Sequence, residues 1–231
     1  MITPAINIIP ANPIKSGGGG GSTFEYTAID NDYSFIFDGV DDYVNCGQIS
    51  ALSSASSFTL SGWFNQTTID QKRVMFGTYS SSSNLIACYT WNDGKMYIDL
   101  RNGSTTYGEF DYSTVVTAGD WFHLAMVFDG SGGDNASKLK LYINGSLQTL
   151  SYNGTLPTST NATQGDFIIG TSQGFVYEWL GKIDEVAIFN TALSEETIEA
   201  IYNTTNNNPG KVADLTETPE GAPVAWYRMG D

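Results

Sequence analysis

The sequence predicts an all-β protein, an antiparallel sandwich of two sheets with one short helix near its C-terminal end. Three observations carry this. Short runs rich in β-branched and aromatic residues, roughly a dozen, recur between turn signals from Tyr33 onward. Tight-turn dipeptides, Asp93-Gly94, Asn102-Gly103 and Asn144-Gly145, separate several of them, and such pairs suit two-residue hairpins. Helical periodicity occurs at Ile198, Ile201 and Tyr202, one apolar stripe too short to hold a helix by itself. Strands following strands in this way build antiparallel layers, not βαβ units.

Residues 1–22 read as an extended arm and hinge. Pro4, Pro10 and Pro13 space the segment MITPAINIIPANPIK, which favours extended or polyproline-like backbone. Gly17 to Gly21 then form a flexible hinge. An expression linker is one reading of the glycines and a native tether is the other. The Ile residues at 2, 6, 8 and 9 favour an arm that docks on another subunit of an assembly.

The domain is expected over 23–231. Tyr33–Phe37 alternates and runs into the turn Asp38-Gly39, followed by Asp41-Asp42-Tyr43-Val44. Strands are expected at 57–64, 73–79, 85–91, 95–100, 121–128, 138–143, 146–150 and 166–171. From Lys182 the residues Ile183, Val186 and Ile188 give a buried strand with imperfect alternation. Asn190 to Leu193 end it. Ser194 can then cap a helix to Asn203, with Glu195 and Glu196 at its positive end. That helix should dock on the strand before it. Residues 206–222, with Pro209, Gly210, Pro219 and Gly221, read as a loop, and 223–230 as a closing strand.

With 231 residues, 41% of them apolar, the chain can fill one sandwich core. Its formal charge of −15 argues against nucleic acid or an anionic membrane as partner. The acids either solvate the surface or bind cations. Cys46 and Cys88 lie in no metal-ligand spacing; they permit one bridge without demanding it, and free, half-buried thiols are the favoured reading. The seven N-x-S/T triplets would matter only in a eukaryotic secretory pathway. The opening residues lack a signal-peptide pattern, and no apolar run approaches a membrane span.

Three landmarks stand in order: FDGVDDYV, then DWFHLAMVFDG with KLYINGSL, then LGKIDEVAIFNTALSEETIEAIYN. Together they resemble the laminin-G-like (LamG, Laminin_G_3) branch of the concanavalin A-like lectin/glucanase superfamily, over about Ser34 to Thr204. The resemblance implies a jelly roll of two antiparallel sheets, used by carbohydrate-binding modules, adhesins and some glucanases. The acidic, Asn/Ser/Thr-rich style and the ending AWYRMGD further resemble structural proteins of marine bacteriophages.

Glucanases of the superfamily carry paired catalytic carboxylates in an E-x-D-x-E or E-x-D-x-x-E pattern, at the spacing a retaining mechanism needs. The sequence has no such triplet. His123, the single histidine, lies inside WFHLAMVF and is expected to pack within a strand. The chain is therefore expected not to be an enzyme.

Asp38, Asp41 and Asp42 crowd one turn, a costly arrangement unless a cation neutralises it. The resemblance implies a structural calcium held there with Asp184 of GKIDEV. The alternative is that Asp38 begins a turn, Asp184 caps a bulge, and nothing binds. For a ligand, Tyr89 and Trp91 with Asn92 and Asp93 offer the aromatic faces and hydrogen bonders that sugars require. Tyr97, Tyr107 and Tyr112 could line the same face, or alternate members could fill the core. Trp63, Trp121 and Phe128 are assigned to the core.

Two functions follow. One is a virion structural, decoration or fibre protein, located in the virion, joined to other virion subunits through its arm as an oligomeric assembly and able to hold host-surface glycans. The other is a secreted bacterial adhesin or carbohydrate-binding module. The C-terminal segment, with Val224, Trp226 and Arg228 alternating against Ala225, Tyr227 and Met229, resembles the branch's usual opening strand displaced to the other end. It could close its own sandwich, enter a neighbour's, or begin a further domain.

Overall fold

A computed structural model describes residues 3–4, 24–69, 71–171 and 177–229. Its strands, in chain order, begin with β1 (Thr3–Pro4), β2 (Ala28–Asp30), β3 (Tyr33–Asp38), β4 (Val44–Asn45), β5 (Ser57–Gln66) and β6 (Arg73–Ser81). There follow β7 (Asn84–Thr90), β8 (Lys95–Asn102), β9 (Tyr107–Asp111) and β10 (Trp121–Asp129). A one-turn helix α1 (Asn135–Lys138) leads to β11 (Leu139–Ile143), β12 (Ser146–Leu147), β13 (Ser151–Asn153) and β14 (Phe167–Ile169). The chain closes with β15 (Leu180–Phe189), α2 (Glu195–Asn207), β16 (Lys211–Ala213) and β17 (Ala225–Tyr227).

Two antiparallel sheets face each other. One has the order β1-β3-β15-β5-β10-β11-β12, with β17 also on β15; the other runs β13-β9-β8-β7-β6-β14-β4. Alternate residues of each strand meet between them. Phe58, Leu60 and Phe64 of β5, with Phe122, Leu124, Met126 and Phe128 of β10, face Phe76, Ile86, Cys88, Ile98 and Phe167 of the opposite sheet. Trp179, fully buried, sets its ring edge against Phe64 at 5.7 Å between centroids. The period of two along each strand places these apolar sets inward.

Turn chemistry fixes the register. Asn144-Gly145 adopts φ of 52° and 75°, the doubly positive geometry of a tight hairpin, and sets Ile143 opposite Ser146. β9 was not among the expected strands. Its YGEFD carries glycine and two acids, residues depleted in strands, and pairing with β8 and β13 overrides that preference.

The helix α2 starts where expected, the Ser194 hydroxyl accepting from the Thr197 amide at 3.2 Å. It runs one turn further than expected, to Asn207. Thr205, buried in that turn, accepts from the Ala213 amide at 3.3 Å, so contact with β16 extends a stretch of poor helix formers. Its stripe packs outside the first sheet: Ile198 and Ile201 join Phe189 and Ala187 of β15, Val127 of β10 and Tyr142 of β11. The helix therefore docks on the preceding strand and on two others.

β15 exchanges partners halfway. Leu180 to Ile183 pair with β3, and Val186 to Ile188 pair with β17. Between them lies a bulge at Asp184/Ala187, with Glu185 at φ 53°, a left-handed conformation that costs a non-glycine residue energy. Ala225, Tyr227 and Met229 of the C-terminal segment lie on the central core, whereas Trp226 packs on the helix side. Thr3 and Pro4 lie antiparallel to Ser34 and Tyr33; the rest of the expected arm and hinge lies outside the described residues.

Both cysteines are free; Cys88 is buried and Cys46 half-buried. Trp63 is buried, but behind the first sheet, stacked on Tyr202 of α2 at 5.9 Å. Trp121 is half-buried beside that pair. Strand alternation sends both to the helix side, so the assignment of all three rings to one core holds only for Phe128.

Candidate functional site

The outer face of the second sheet carries an aromatic platform. Residues of β7 and β8 that do not enter the core point the other way, and the register brings them into rows. Glu109, Tyr97, Tyr89 and Val74 form one row across β9, β8, β7 and β6; Tyr107, Asp99, Ala87 and Gly77 form the next. Tyr89 and Tyr97 stack at 5.3 Å and 7°. Tyr107 lies 5.5 Å from Tyr97, and Trp91 lies 6.0 Å from Tyr89. Tyr177, just before β15, meets Trp91 edge to face at 5.9 Å.

Polar groups border the rings. The Tyr97 hydroxyl donates to Asp93 Oδ2 at 2.8 Å, and Asp93 Oδ1 accepts from the Lys95 amide at 3.0 Å. Lys95 pairs with Glu109 at 2.6 Å. The Lys72 ammonium sits 3.6 Å from the Trp91 ring centroid, a cation–π contact. Beneath the rings, Asp99 Oδ2 accepts from Arg101 Nη2 at 2.6 Å and from the Tyr89 hydroxyl at 3.4 Å. Burial pushes the Asp99 carboxyl up to about 6, against the pull of Arg101. The Tyr89 phenol is raised strongly, first by burial and then by the Asp99 charge.

Of the expected ligand residues, Tyr89, Trp91 and Tyr107 join this platform, Asp93 borders it, and Asn92 is exposed in the turn between β7 and β8. Tyr112 does not join it. It is fully buried in the central core, two residues beyond Phe110, which faces the same core. Lys72, Asp99, Arg101, Glu109 and Tyr177 were not foreseen. Alternation in KMYIDLR already puts Tyr97, Asp99 and Arg101 on one face; Lys72 and Tyr177 come from loops, where no periodicity speaks.

The acidic turn is separate. Carboxylate oxygens of Asp38, Asp41 and Asp42 lie within 4.8 Å of one another. Two of these side chains also organise the turn: Asp42 Oδ2 accepts from the Asp38 amide at 2.9 Å, and Asp38 Oδ1 from the Val40 amide at 2.8 Å. The structure does not bring Asp184 to them. Leu180, not Asp184, faces Asp38, and four further residues of strand place Asp184 about 13 Å along. Asp184 is instead buried, accepting from Asn31 Nδ2 at 3.0 Å and from the Glu185 amide at 2.8 Å.

His123 packs inside the fold at 1% exposure, its ring 5.3 Å from that of Trp63. It borders a small cavity lined also by Ser61, Glu185 and Ile201. Burial pushes its imidazole down to about 3, so it stays neutral at ordinary pH.

Among solved structures, the Ruminococcus gnavus IT-sialidase CBM40 bound to α2,3-sialyllactose is similar, at 15% identity and a TM-score of 0.53, covering 79% of this chain and 100% of that one. The NanB sialidase of Streptococcus pneumoniae gives 18% identity and a TM-score of 0.55 over 71% of this chain and 27% of that one. The binding domain of botulinum neurotoxin serotype D gives 19% and 0.53, over 75% and 42%. Among curated proteins there is no match. Likenesses at such identities establish a shared fold. The profile of one family, described as the concanavalin A-like lectin/glucanases superfamily, matches residues 38–199, more than half of the sequence. The chain belongs to the Laminin_G_3 family of that superfamily.

Proposed function

We propose that this domain is a non-catalytic lectin module that binds glycans on the outer face of its second sheet. The observation that carries the reading is the platform itself: Tyr89, Trp91, Tyr97 and Tyr107 in mutual contact, bordered by Asp93, Glu109 and Arg101. Sugar rings present C–H faces to aromatic rings and hydroxyls to such side chains. The similar CBM40 domain, bound to α2,3-sialyllactose, supports sugar as the ligand class. Glycan-array binding tests the reading, and Trp91→Ala should abolish it in a protein that still folds.

In this reading the domain is displayed on a virion, tethered to other subunits by the arm and glycine hinge of residues 1–22, as a fibre or decoration subunit. The Pro- and Gly-patterned sequence supports the tether. Sedimentation of the full chain against a chain lacking residues 1–22 tests it. Loss of assembly with retained folding supports the tether; a monomer in both cases favours a free-standing secreted adhesin or binding module.

Calcium at Asp38, Asp41 and Asp42 belongs to the same proposal. A donor set of clustered carboxylate oxygens suits a hard cation that takes carboxylate, carbonyl and water oxygens. Asp184 is not a ligand in this version of the site.

A further inference from the structure

The centre of the platform narrows the ligand class, an inference that rests on the glycan-binding reading above. Asp99 has a fully buried side chain, and its partner Arg101 is 17% exposed. Asp99 Oδ2 takes both the Arg101 and Tyr89 hydrogen bonds. Among the described residues, Asp99 Oδ1 has no partner, and neither does Arg101 Nε. A buried charged oxygen without a donor is costly, so this bonded pair carries one unsatisfied acceptor and one unsatisfied donor.

The surroundings bear on what could satisfy them. Asp99 lies in register between Tyr107 on β9 and Ala87 on β7, and Ala87 faces Gly77 on β6. Those small residues leave the sheet low on one side of Asp99. A Cβ at Gly77 would come within 2.7 Å of the Ile86 carbonyl oxygen, so that position stays bare. Of the nearby cations, Arg101 is paired with Asp99 and Lys95 with Glu109, while Lys72 lies over the Trp91 ring at the rim. Asp93 adds a further carboxylate at the rim, on a chain of formal charge −15.

We propose that the platform selects an uncharged sugar residue, one of whose hydroxyls donates to Asp99 Oδ1 while an adjacent hydroxyl accepts from Arg101 Nε. A hydroxyl can both donate and accept, whereas a carboxylate or sulfate only accepts. An acidic group would leave Asp99 Oδ1 unsatisfied and set two negative charges side by side. Neither open atom reaches solvent in the free domain, so binding shifts the Arg101 arm, the more exposed of the pair.

The test is titration of the full chain with neutral oligosaccharides ending in galactose, glucose, mannose or fucose, and with sialylated and sulfated counterparts. Wild type, Trp91→Ala, Asp99→Asn and Arg101→Gln are compared, with circular dichroism as the check on folding. The expected result is binding of a neutral glycan with little dependence on salt, lost in Trp91→Ala and weakened tenfold or more in Asp99→Asn. Arg101→Gln, which keeps a hydrogen bonder without charge, should weaken binding less. Preference for an acidic glycan, held through Lys72 and weakened by salt, overturns the selection of neutral sugars while leaving the lectin reading intact. Binding that Trp91→Ala leaves unchanged, or no binding of either class, overturns both.

Discussion

Acid should reveal two buried groups that oppose each other. The Asp99 carboxyl is held at about 6 against an ordinary 3.8, chiefly by burial. The His123 imidazole is held at about 3 against an ordinary 6.5, again by burial. Because the folded value of Asp99 lies above the unfolded one, the folded state takes up the proton first, and stability rises as pH falls through 6. Between pH 7 and pH 5 this contributes about 1 kcal/mol. The folded value of His123 lies below the unfolded one, so the unfolded state takes up the proton first and stability falls below pH 6.5. Over the same interval that costs about 2 kcal/mol. In the wild type the two effects oppose each other, and the loss in acid is partly offset. Asp99→Asn removes one side of the balance. Its stability should fall by about 2 kcal/mol between pH 7 and pH 5, which for a chain of this size is a drop of about 4–8 °C in Tm. Differential scanning calorimetry at the two pH values, wild type beside variant, measures this. His123→Gln should do the reverse and gain stability in acid. Equal Tm changes in wild type and Asp99→Asn would refute the burial argument for Asp99.

Three further outcomes follow from the fold. Ending the chain after Gly221 removes β17 while sparing Glu220, whose carboxylate accepts from the Ser194 amide at 3.0 Å. It should cost about 3–5 kcal/mol, since Met229 leaves the core and Glu185 loses the Trp226 indole donor at 2.6 Å; an unchanged urea midpoint would show that the strand closes nothing. Ser194→Ala removes the hydroxyl that caps α2 and should cost about 1 kcal/mol by the same assay. With calcium at Asp38, Asp41 and Asp42, millimolar calcium should raise Tm relative to excess chelator, by about 2.7 kcal/mol of stability at a hundredfold excess over Kd, and Asp41→Asn should reduce the shift; identical melting curves would remove the ion from the account.

Much of this was legible in the chain because strand alternation and turn dipeptides are local signals. Asn144-Gly145 announces a hairpin, and Ser194 announces a helix start. β9 was hidden because YGEFD is a poor strand by propensity and is held by its neighbours. Alternation also shows that Tyr97, Asp99 and Arg101 share a face, but not which face is outside; with β9 hidden, nothing in the sequence separates Tyr112 of the core from Tyr107 of the platform. The distance between Asp184 and the acidic turn depends on the register of β15 against β3, a long-range fact that spacing within the sequence does not carry. The same holds for Glu185, whose bulge sits where β15 changes partners.

Trp91 is the most direct probe of glycan binding at the aromatic platform. It meets Tyr89 and Tyr177, carries the Lys72 ammonium on its face, and remains half-buried rather than part of the central core. Isothermal titration of wild type and Trp91→Ala with the best glycan from an array settles the matter. Loss of one ring–sugar stack should weaken binding by at least tenfold, about 1.4 kcal/mol, with Tm changed by no more than a few degrees. Equal affinity in the two proteins would contradict the assignment of the platform as the binding site.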